Sequence, residues 1–179
     1  MRKIARSMGY SATTIYLHFR NKDQLVHALI SDGMEKLKGK LRPVLDDLSL
    51  SPLIGIRRIC REYATFGLEN PGYYEIMYVL HADEISIYPE PRYRDARSLI
   101  NDLSQLFERG MQVGEIRPSN PFIAANILWS QIHGVVSLIH SKRFDRQLDD
   151  KELVEQAIDA AILACASLTP SGNSRGATG

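Results

Sequence analysis

Apolar residues recur along most of the chain at steps of three and four, which is the period of a helix with one buried face. In the stretch 21–43, for example, Leu25, Leu29, Leu37 and Leu41 follow this spacing. The alternation of β-branched and polar residues that is typical of strands is almost absent. The pattern therefore predicts an all-α protein.

Capping residues and prolines mark the ends of the predicted helices. Ser51-Pro52 and Asn120-Pro121 each combine a capping side chain with a proline, which a helix tolerates in its first turn. Asp149, with a glutamate three residues later, has the spacing of a capping box. The helix after Asn120 is apolar on most sides, so we expect it to be largely buried. Eight helices are predicted, at approximately residues 2–8, 12–18, 22–43, 52 to a break at 70–72, 73–80, 92–111, 121–142 and 150–168.

The composition limits the class of protein that the chain can form. Apolar residues make up 44% and charged residues 24%, which are ordinary values for a globular protein with a core. Its two cysteines, Cys60 and Cys165, are too few for a disulfide framework, so a reducing cytosol is expected. No apolar run of membrane-spanning length and no secretory signal are visible. We therefore expect a cytoplasmic protein without a membrane partner.

Charge is distributed unevenly, although the net charge is only +1. Residues 1–42 hold nine lysines and arginines against three acidic residues, a net charge of +6, and the rest of the chain carries −5. A basic end on an acidic body suggests a polyanionic partner for that end. A solvated charged face is the alternative interpretation.

The basic end also carries a candidate DNA-binding motif. Two short predicted helices with Gly9 in the turn between them fit a helix-turn-helix. In such a unit the second helix enters the major groove, and the small residues 12–14 suit a close approach to the bases. Asn21 caps the next helix, and Lys22 lies in its first turn, where free backbone N–H groups and the ammonium suit a phosphate.

Residues 9–25 read GYSATTIYLHFRNKDQL and resemble the DNA-binding signature of the tetracycline-repressor (TetR) family of bacterial regulators. The shared features are the glycine with a small polar cap, the Ile15-Tyr16 and His18-Phe19 pairs, and the Lys-Asp and leucine that follow. Ile4-Ala5 also match. The resemblance implies a homodimeric transcription regulator that binds DNA.

The resemblance implies roles for the matching residues. Tyr16 and Lys22 would hold phosphates, His18 would lie at the groove, and Arg2 would reach base edges, because its guanidinium suits guanine. Plain packing is the alternative for Tyr16, and His18 has no forced role. The expected DNA contacts are Arg2, Ser11, Ala12, Thr13, Thr14, Tyr16, Leu17, His18 and Lys22.

One family feature is missing from the pattern. Family members carry a further helix before this point, whereas Met1 stands one residue before the helix that corresponds to their second. Without the first helix, the inward sides of Ile4, Met8, Ile15 and Phe19 lose a packing partner. We therefore expect this chain to bind operator DNA poorly or to have a mobile DNA-binding head.

The helix pattern and the resemblance together divide the chain into three parts. Residues 1–42 are expected to form the helix-turn-helix head with its connecting helix. Residues 43–169 are expected to form a helical ligand-binding and dimerisation domain. Residues 170–179 are rich in Ser, Gly and Thr and should be disordered.

Two stretches of the body also resemble family regulators. They are residues 70–77 and residues 129–134, the second of which resembles the Trp-His-Gly element of one C-terminal subclass. The family places its ligand among the middle helices, and apolar walls with a few polar groups suit a small, largely apolar effector. Simple core packing is the alternative for such aromatic and methionine residues. The candidate ligand contacts are Tyr63, Phe66, Tyr74, Met77, Tyr78, Phe107, Met111, Trp129 and His133.

Metal binding and catalysis find little support in the residue pattern. His133 and His140 share one face of a predicted helix, but no nearby cysteine or aspartate pair completes a tetrahedral site. Alternatively, His133 hydrogen-bonds a backbone carbonyl. No nucleophile, base and orienting group occur at a suggestive spacing. We expect no metal, no cofactor and no enzymatic activity.

The last two predicted helices, residues 121–142 and 150–168, are expected to form the homodimer. Alanine-rich faces allow close approach, and two helices from each subunit make a four-helix interface. A two-fold dimer also matches a palindromic operator. Packing within one subunit is the alternative, and both roles are compatible.

The sequence thus predicts a DNA-binding transcription regulator that acts as a repressor. Binding of an effector would release it from its operator. Ligand would favour one spacing of the two heads over another, with the helix 22–41 carrying the motion. The alternatives are a helical small-molecule-binding protein without DNA binding and an all-helical enzyme. Salt-dependent DNA binding distinguishes the regulator from both.

Overall fold

The computed structural model describes residues 19–78, 90–145 and 147–167, and only the backbone of 90–97. Within these ranges the regular structure is helical, apart from one isolated antiparallel bridge between Ile116 and Ala166. The predicted all-α fold is confirmed. The predicted helices at 2–8 and 12–18 and the tail 170–179 lie outside the described residues. The described helices are α1 (Lys22–Leu45), α2 (Pro52–Glu69), α3 (Pro71–Tyr78), α4 (Glu90–Gln112), α5 (Pro121–His140) and α6 (Asp150–Cys165).

Four of these helices begin at capping residues that the sequence indicated. The side chains of Asn21, Ser51, Asn120 and Asp149 each accept a hydrogen bond from the backbone N–H three residues later, at 2.8 to 3.4 Å. Such a cap stabilises a helix by about 1 kcal/mol. A short polar side chain therefore fixes the start of α1, α2, α5 and α6.

One predicted helix end is wrong, and one predicted break is shorter than expected. α1 continues through Pro43 to Leu45, which packs against the core, and this burial of the last turn offsets the N–H that proline lacks. The stretch 70–72 separates two helices by one residue only, because Pro71 needs no N–H partner in the first turn of α3. Asn70 is the residue between the two helices, and its side-chain Nδ2 donates to the carbonyl of Phe66 at 2.9 Å.

α5 ends at His140 rather than at residue 142, in a turn where Lys142 has a φ of 52°. The N–H of Lys142 donates to Ile139 O and that of Arg143 donates to Leu138 O, both at 3.0 Å. These bonds form the Schellman pattern that closes many helices. Because a lysine stands where glycine is usual, the sequence gives no signal for this end.

α6 also ends earlier than predicted, at Cys165 rather than near residue 168. Ala166 turns to extended backbone angles instead of continuing the helix. The N–H of Arg117 donates to Cys165 O at 3.0 Å, and the N–H of Ser167 donates to Glu115 O at 2.8 Å. Pairing with the segment after α4 therefore replaces the last helical turn.

α2 lies at the centre of the body and contacts each of the other five described helices. Its Ile56 and Ala64 are fully buried, and Phe66 is nearly so. Close packing depends on Gly67, since a Cβ at this position would lie 2.7 Å from the side chain of Val136. α2 and α5 therefore lie close together at Gly67, where a larger residue would not fit.

The prediction that α5 is largely buried is wrong. One face is buried by Leu128 and its helical neighbours, but Phe122, Ile123, Ile127 and Leu138 are 43% to 56% exposed. Periodicity did not reveal this, because an apolar face gives the same pattern whether its partner is the same chain or another molecule. α5 therefore carries an apolar face that the described part of the chain leaves uncovered.

The same helix is long and apolar enough to cross a membrane when only length and composition are considered. Core helices of globular proteins pass this test too, so it is weak evidence. Of its apolar stretch, 22% is buried. The absence of a membrane partner stays a prediction.

Candidate effector cavity

A partly open cavity of about 170 Å³ lies between α1, α2, α4 and α5, beside the end of α3. α1 lines it with Met34, Leu37, Leu41 and Leu45. These residues recur at steps of three and four, so they share one face of the helix. α1 therefore forms a continuous apolar wall over its second half.

The other helices extend this apolar wall. α4 contributes Leu99, Ile100 and Leu103. α2 and α5 contribute side chains of similar character, namely Ile59, Cys60, Leu128 and Ile132. A space with such walls favours an apolar guest over water.

A tyrosine–histidine cluster, formed by Tyr63, Tyr74, Tyr78, Trp129 and His133, closes one side of the cavity. Tyr63, Tyr78 and Trp129 line the cavity directly. The hydroxyl oxygens of Tyr63 and Tyr74 lie 2.9 and 2.7 Å from Nδ1 of His133. The Tyr74 hydroxyl also donates to the backbone carbonyl of His133 at 3.1 Å. The cluster thus joins α2, α3 and α5 through side chains.

The rings of the cluster pack against one another around His133. Its centroid lies 5.3 Å from that of Tyr74, in a stacked arrangement, and 5.1 Å from those of Trp129 and Tyr78. These separations are in the usual range for attractive aromatic pairs. The packing fixes the orientation of the imidazole, and Nδ1 is held towards the tyrosine hydroxyls.

Burial keeps the cluster uncharged at neutral pH. It lowers the pKa of His133 and so disfavours imidazolium. It raises the pKa of Tyr78 to about 12 and raises the pKa of Tyr63 and Tyr74 as well. Burial also raises the pKa of the nearby Cys60 thiol to about 12. His133 is therefore neutral. In the tautomer with its proton on Nε2, Nδ1 accepts a hydrogen bond from one of the two tyrosines at a time.

A second set of contacts ties α3 to α1 outside the cavity. Both carboxylate oxygens of Asp32 lie 2.8 Å from Nζ of Lys36, and the Tyr73 hydroxyl donates to the same carboxylate. These hydrogen bonds lower the pKa of Asp32. On the next turn, Met77 packs so tightly over Gly33 that a Cβ there would lie 2.6 Å from its sulfur. α3 therefore contacts α1 at two successive turns.

Two family descriptions match separate parts of this chain. Residues 56–161 match the family described as tetracyclin repressor-like, C-terminal domain. Residues 1–29 match the family described as bacterial regulatory proteins, tetR family. The chain belongs to the TetR family. The resemblance seen in residues 9–25 is thereby confirmed.

Individual relatives agree with this assignment. The nucleoid occlusion factor SlmA of Vibrio campbellii is 29% identical over 107 residues, which cover 60% of this chain and 49% of that protein. The chain thus spans about half the length of this relative. The TetR-family regulator PfmR from Thermus thermophilus is 18% identical, with a TM-score of 0.72 over 94% of this chain and 88% of that one. AibR, in a complex with isovaleryl coenzyme A and operator DNA, is 21% identical, with a TM-score of 0.66 over 89% and 84%. The two solved structures share the fold of this TetR-family chain.

The candidate ligand residues fall into three groups. Tyr63, Tyr78 and Trp129 line the cavity, and His133 and Tyr74 stand behind them in the cluster. The remaining candidates lie outside the described lining: they pack in or against the core and are Phe66, Met77, Phe107 and Met111. Contact of any of these residues with an effector stays a prediction.

Sequence reasoning missed the aliphatic walls, including Met34 and Leu37 on α1 and Leu99 on α4. Their helical spacing was visible, but it shows only that a face is buried, not that it adjoins a cavity. α1 was interpreted as a connector and not as a wall. The signal that could have found them is the unusual length of the apolar face of α1, which continues past Pro43.

Of the candidate DNA contacts, only Lys22 lies among the described residues. It is exposed and is the first residue of α1, as predicted, next to the capping side chain of Asn21. Arg2 and the candidates at 11–14 and 16–18 lie outside the described residues. Their contact with DNA stays a prediction.

His133 and His140 do share a face, and both pack on the ring of Tyr74, with centroids 5.3 and 4.9 Å away. Nε2 of His140 hydrogen-bonds the carbonyl of Gly67 at 3.0 Å. His133 bonds tyrosine hydroxyls at Nδ1, so the alternative that its ring bonds a backbone carbonyl is replaced by this arrangement. In the described ranges no three His, Cys, Asp or Glu side chains are grouped as metal ligands.

Proposed function

We propose that this TetR-family protein is a cytoplasmic DNA-binding transcription regulator, acting as a repressor without enzymatic activity, and that a small, largely apolar effector releases it from its operator. One observation carries the proposal. α1 begins at Lys22, inside the segment that matches the TetR DNA-binding family, and ends as a wall of the cavity. A single rigid element thus belongs to both the proposed DNA-binding head and the effector site.

The mechanism follows from this shared helix. An occupant of the cavity contacts α1 between Met34 and Leu45, at the end remote from the head. If it binds one position of α1 more tightly than another, it shifts the equilibrium by that difference in affinity. Two heads that no longer match successive major grooves, about 34 Å apart, then lose operator affinity.

Dimerisation through α5 and α6 is part of the proposal. The exposed apolar face of α5 continues onto α6, where Leu163 is 72% exposed beside the small residues Ala160 and Ala164. Exposed apolar surface of this kind is typical of interfaces between proteins. Helix pairs from two copies would bury it in a four-helix interface and set the distance between the heads.

The related AibR was crystallised with both an acyl-coenzyme A and operator DNA, which supports a regulator with two kinds of partner on this fold. We also assign the body to the Trp-His-Gly subclass of C-terminal domains, on Trp129, His133 and Gly134. Trp129 and His133 both belong to the tyrosine–histidine cluster, which supports a functional role for the Trp-His-Gly stretch.

The test begins with the full-length protein expressed from its native gene, whose bound DNA is cross-linked and sequenced. A labelled duplex of the enriched sequence is then titrated by fluorescence anisotropy at several salt concentrations. We expect affinity to fall steeply with salt, and Lys22→Gln to reduce the slope of log K against log salt by about one. Arg143→Gln, an exposed charge in the turn after α5, is the matched control and should leave the slope unchanged.

The absence of an enriched sequence, together with salt-independent binding, would contradict the proposal. The second candidate would then apply, a helical protein that binds small molecules without DNA. The apolar cavity is the observation that favours it.

A further inference from the structure

The wall of the cavity is chemically divided. Among the described lining residues, Tyr63, Tyr78 and Trp129 of the tyrosine–histidine cluster carry hydroxyl or indole N–H groups, while most of the others are aliphatic. A guest in this space therefore meets hydrogen-bonding groups at one end only. Its orientation is set by whichever of its atoms pairs with that end.

The cluster holds more hydroxyl donors than its histidine can accept. Neutral imidazole with its proton on Nε2 has one lone pair at Nδ1, yet two hydroxyls lie within 2.9 Å of that atom. Tyr74 can donate either to Nδ1 or to the carbonyl of His133. When Tyr74 donates to Nδ1, the Tyr63 hydroxyl can donate to another acceptor, which is either a neighbouring tyrosine oxygen of the cluster or an oxygen of a guest, and Nδ1 keeps its partner.

Tyr63 is the one of these two tyrosines that lines the cavity, so a guest can compete for its hydroxyl proton. A ligand oxygen that accepts it replaces Nδ1 as the partner of Tyr63. A guest with such an oxygen adds one hydrogen bond to the cluster, whereas a guest without it leaves Tyr63 paired with Nδ1 and so gains less from binding.

Charge limits the identity of that oxygen. Among the described lining residues there is no lysine, arginine or histidine, and burial keeps the neighbouring His133 neutral. Among these described residues a carboxylate would lose its hydration without finding a counter-charge, which is strongly unfavourable. A carbonyl, ether or hydroxyl oxygen does not carry this cost.

Volume limits the rest of the molecule. Apolar protein cavities of about 150 Å³ accept benzene, and this one has about 170 Å³. The part of the space that the described residues line therefore suits a ring or a branched chain of roughly six to ten non-hydrogen atoms.

We propose that the ligand of this cavity is a small neutral molecule with an apolar body and one acceptor oxygen, which the Tyr63 hydroxyl recognises. This proposal deepens the regulatory function above and rests on it only in treating the ligand as an effector. Tyr63 is a specificity residue in this arrangement, and the aliphatic walls supply affinity for the body of the molecule.

The chain contains a single tryptophan, and Trp129 lines the cavity, so its fluorescence reports occupancy directly. Three probes with the same number of non-hydrogen atoms are titrated into the full-length protein: cyclohexyl methyl ketone, isopropylcyclohexane and cyclohexanecarboxylate. We expect the ketone to bind roughly fivefold more tightly than the hydrocarbon, which is the effect of one hydrogen bond. The carboxylate should bind most weakly of the three.

Variants assign the preference to one hydroxyl. Tyr63→Phe should abolish the advantage of the ketone over the hydrocarbon and leave hydrocarbon affinity unchanged. Tyr73→Phe is the matched control, because its hydroxyl bonds Asp32 outside the cavity, and it should keep the wild-type ratio. A folding defect would lower both affinities together and would not change their ratio.

The proposal is overturned if the carboxylate binds as tightly as the ketone, if the advantage of the ketone survives Tyr63→Phe, or if none of the probes alters Trp129 emission. The ketone is also added to the protein–DNA complex described above. The expected affinity order without DNA release would contradict the regulatory function alone. DNA release by the carboxylate and not by the ketone would contradict this proposal alone.

Discussion

The hydroxyl of Tyr74 lies 2.7 Å from Nδ1 of His133 and joins α3 to α5. Tyr63, on α2, reaches the same nitrogen at 2.9 Å. Tyr74 is 1% exposed and Tyr63 is 6% exposed, so water does not readily replace either hydroxyl. Each tyrosine is therefore the substitute donor for the other.

This redundancy predicts a non-additive loss of stability. Tyr63→Phe or Tyr74→Phe alone should lower the free energy of unfolding by about 1 kcal/mol or less, since one donor to Nδ1 remains. The double variant leaves that buried acceptor unpaired, so its loss should exceed the sum of the single losses by about 1 kcal/mol. Urea unfolding measures all four proteins.

The pair Tyr73→Phe and Tyr74→Phe provides the control. Their hydroxyls bond different acceptors, Asp32 and His133, so these two losses should add. Additive losses for Tyr63 and Tyr74 as well would show that the hydroxyls do not share Nδ1.

The starts of the helices were predictable from sequence and several of their ends were not. A capping side chain such as Asn120 or Asp149 acts on its own next turn, so a local pattern contains the information. The end of α6 depends on pairing with Ile116, far along the chain. The end of α5 depends on a lysine in a backbone conformation that favours glycine.

Only part of the candidate site was predictable from sequence. Tyr63, Tyr78 and Trp129 stood out because an aromatic residue with a polar tip is chemically distinctive. Met34 and Leu99 did not, because an aliphatic residue beside a cavity has the same pattern as one in a filled core. Where packing leaves space is a property of the assembled helices.

The neutral state of His133 predicts a pH dependence of stability. Burial lowers its pKa below the ordinary histidine value of 6.5, so the unfolded chain binds this proton more readily than the folded one. The stabilisation is therefore complete above the unfolded pKa and is lost as the pH falls below it. His133→Gln removes the titrating group, so the stability advantage of the wild type over this variant should shrink as pH falls from about 7.5 to about 5.

Unfolding curves at each pH measure this difference. Tyr63→Phe is a suitable control, because it disturbs the same cluster and leaves His133 in place. Its stability difference from the wild type should change less with pH. A wild-type advantage over His133→Gln that stayed constant across the range would show that His133 does not resist protonation.

Two glycines in helices predict opposite effects of the same substitution. Gly67→Ala would place its Cβ 2.7 Å from Val136 and 3.1 Å from the ring of Tyr74, so we expect a loss of about 1–3 kcal/mol. Gly39→Ala meets no atom within 4 Å on the exposed side of α1, so we expect a gain of about 0.5–1 kcal/mol from reduced freedom of the unfolded chain. Thermal unfolding should shift Tm down for the first and up for the second. Shifts in the same direction would contradict the close approach of α2 and α5.

The exposed apolar face of α5 predicts how the dimer can be separated. Ile127 is 55% exposed on this face, and in the proposed interface a charge there would be buried without a partner. Ile127→Glu should therefore weaken dimerisation by about tenfold or more, as measured by sedimentation equilibrium. Leu48→Glu is the matched control, since Leu48 is 75% exposed in the turn between α1 and α2 and belongs to neither α5 nor α6.

Both variants should keep the helical circular dichroism of the wild type, because neither side chain is part of the core. The monomeric Ile127→Glu protein should still bind the cyclohexyl ketone, since the cavity is formed within one subunit, but it should lose tight binding to a two-site operator. If Leu48→Glu dissociates the protein and Ile127→Glu does not, the interface lies elsewhere. Loss of the cavity ligand together with the dimer would mean that the partner subunit completes the site.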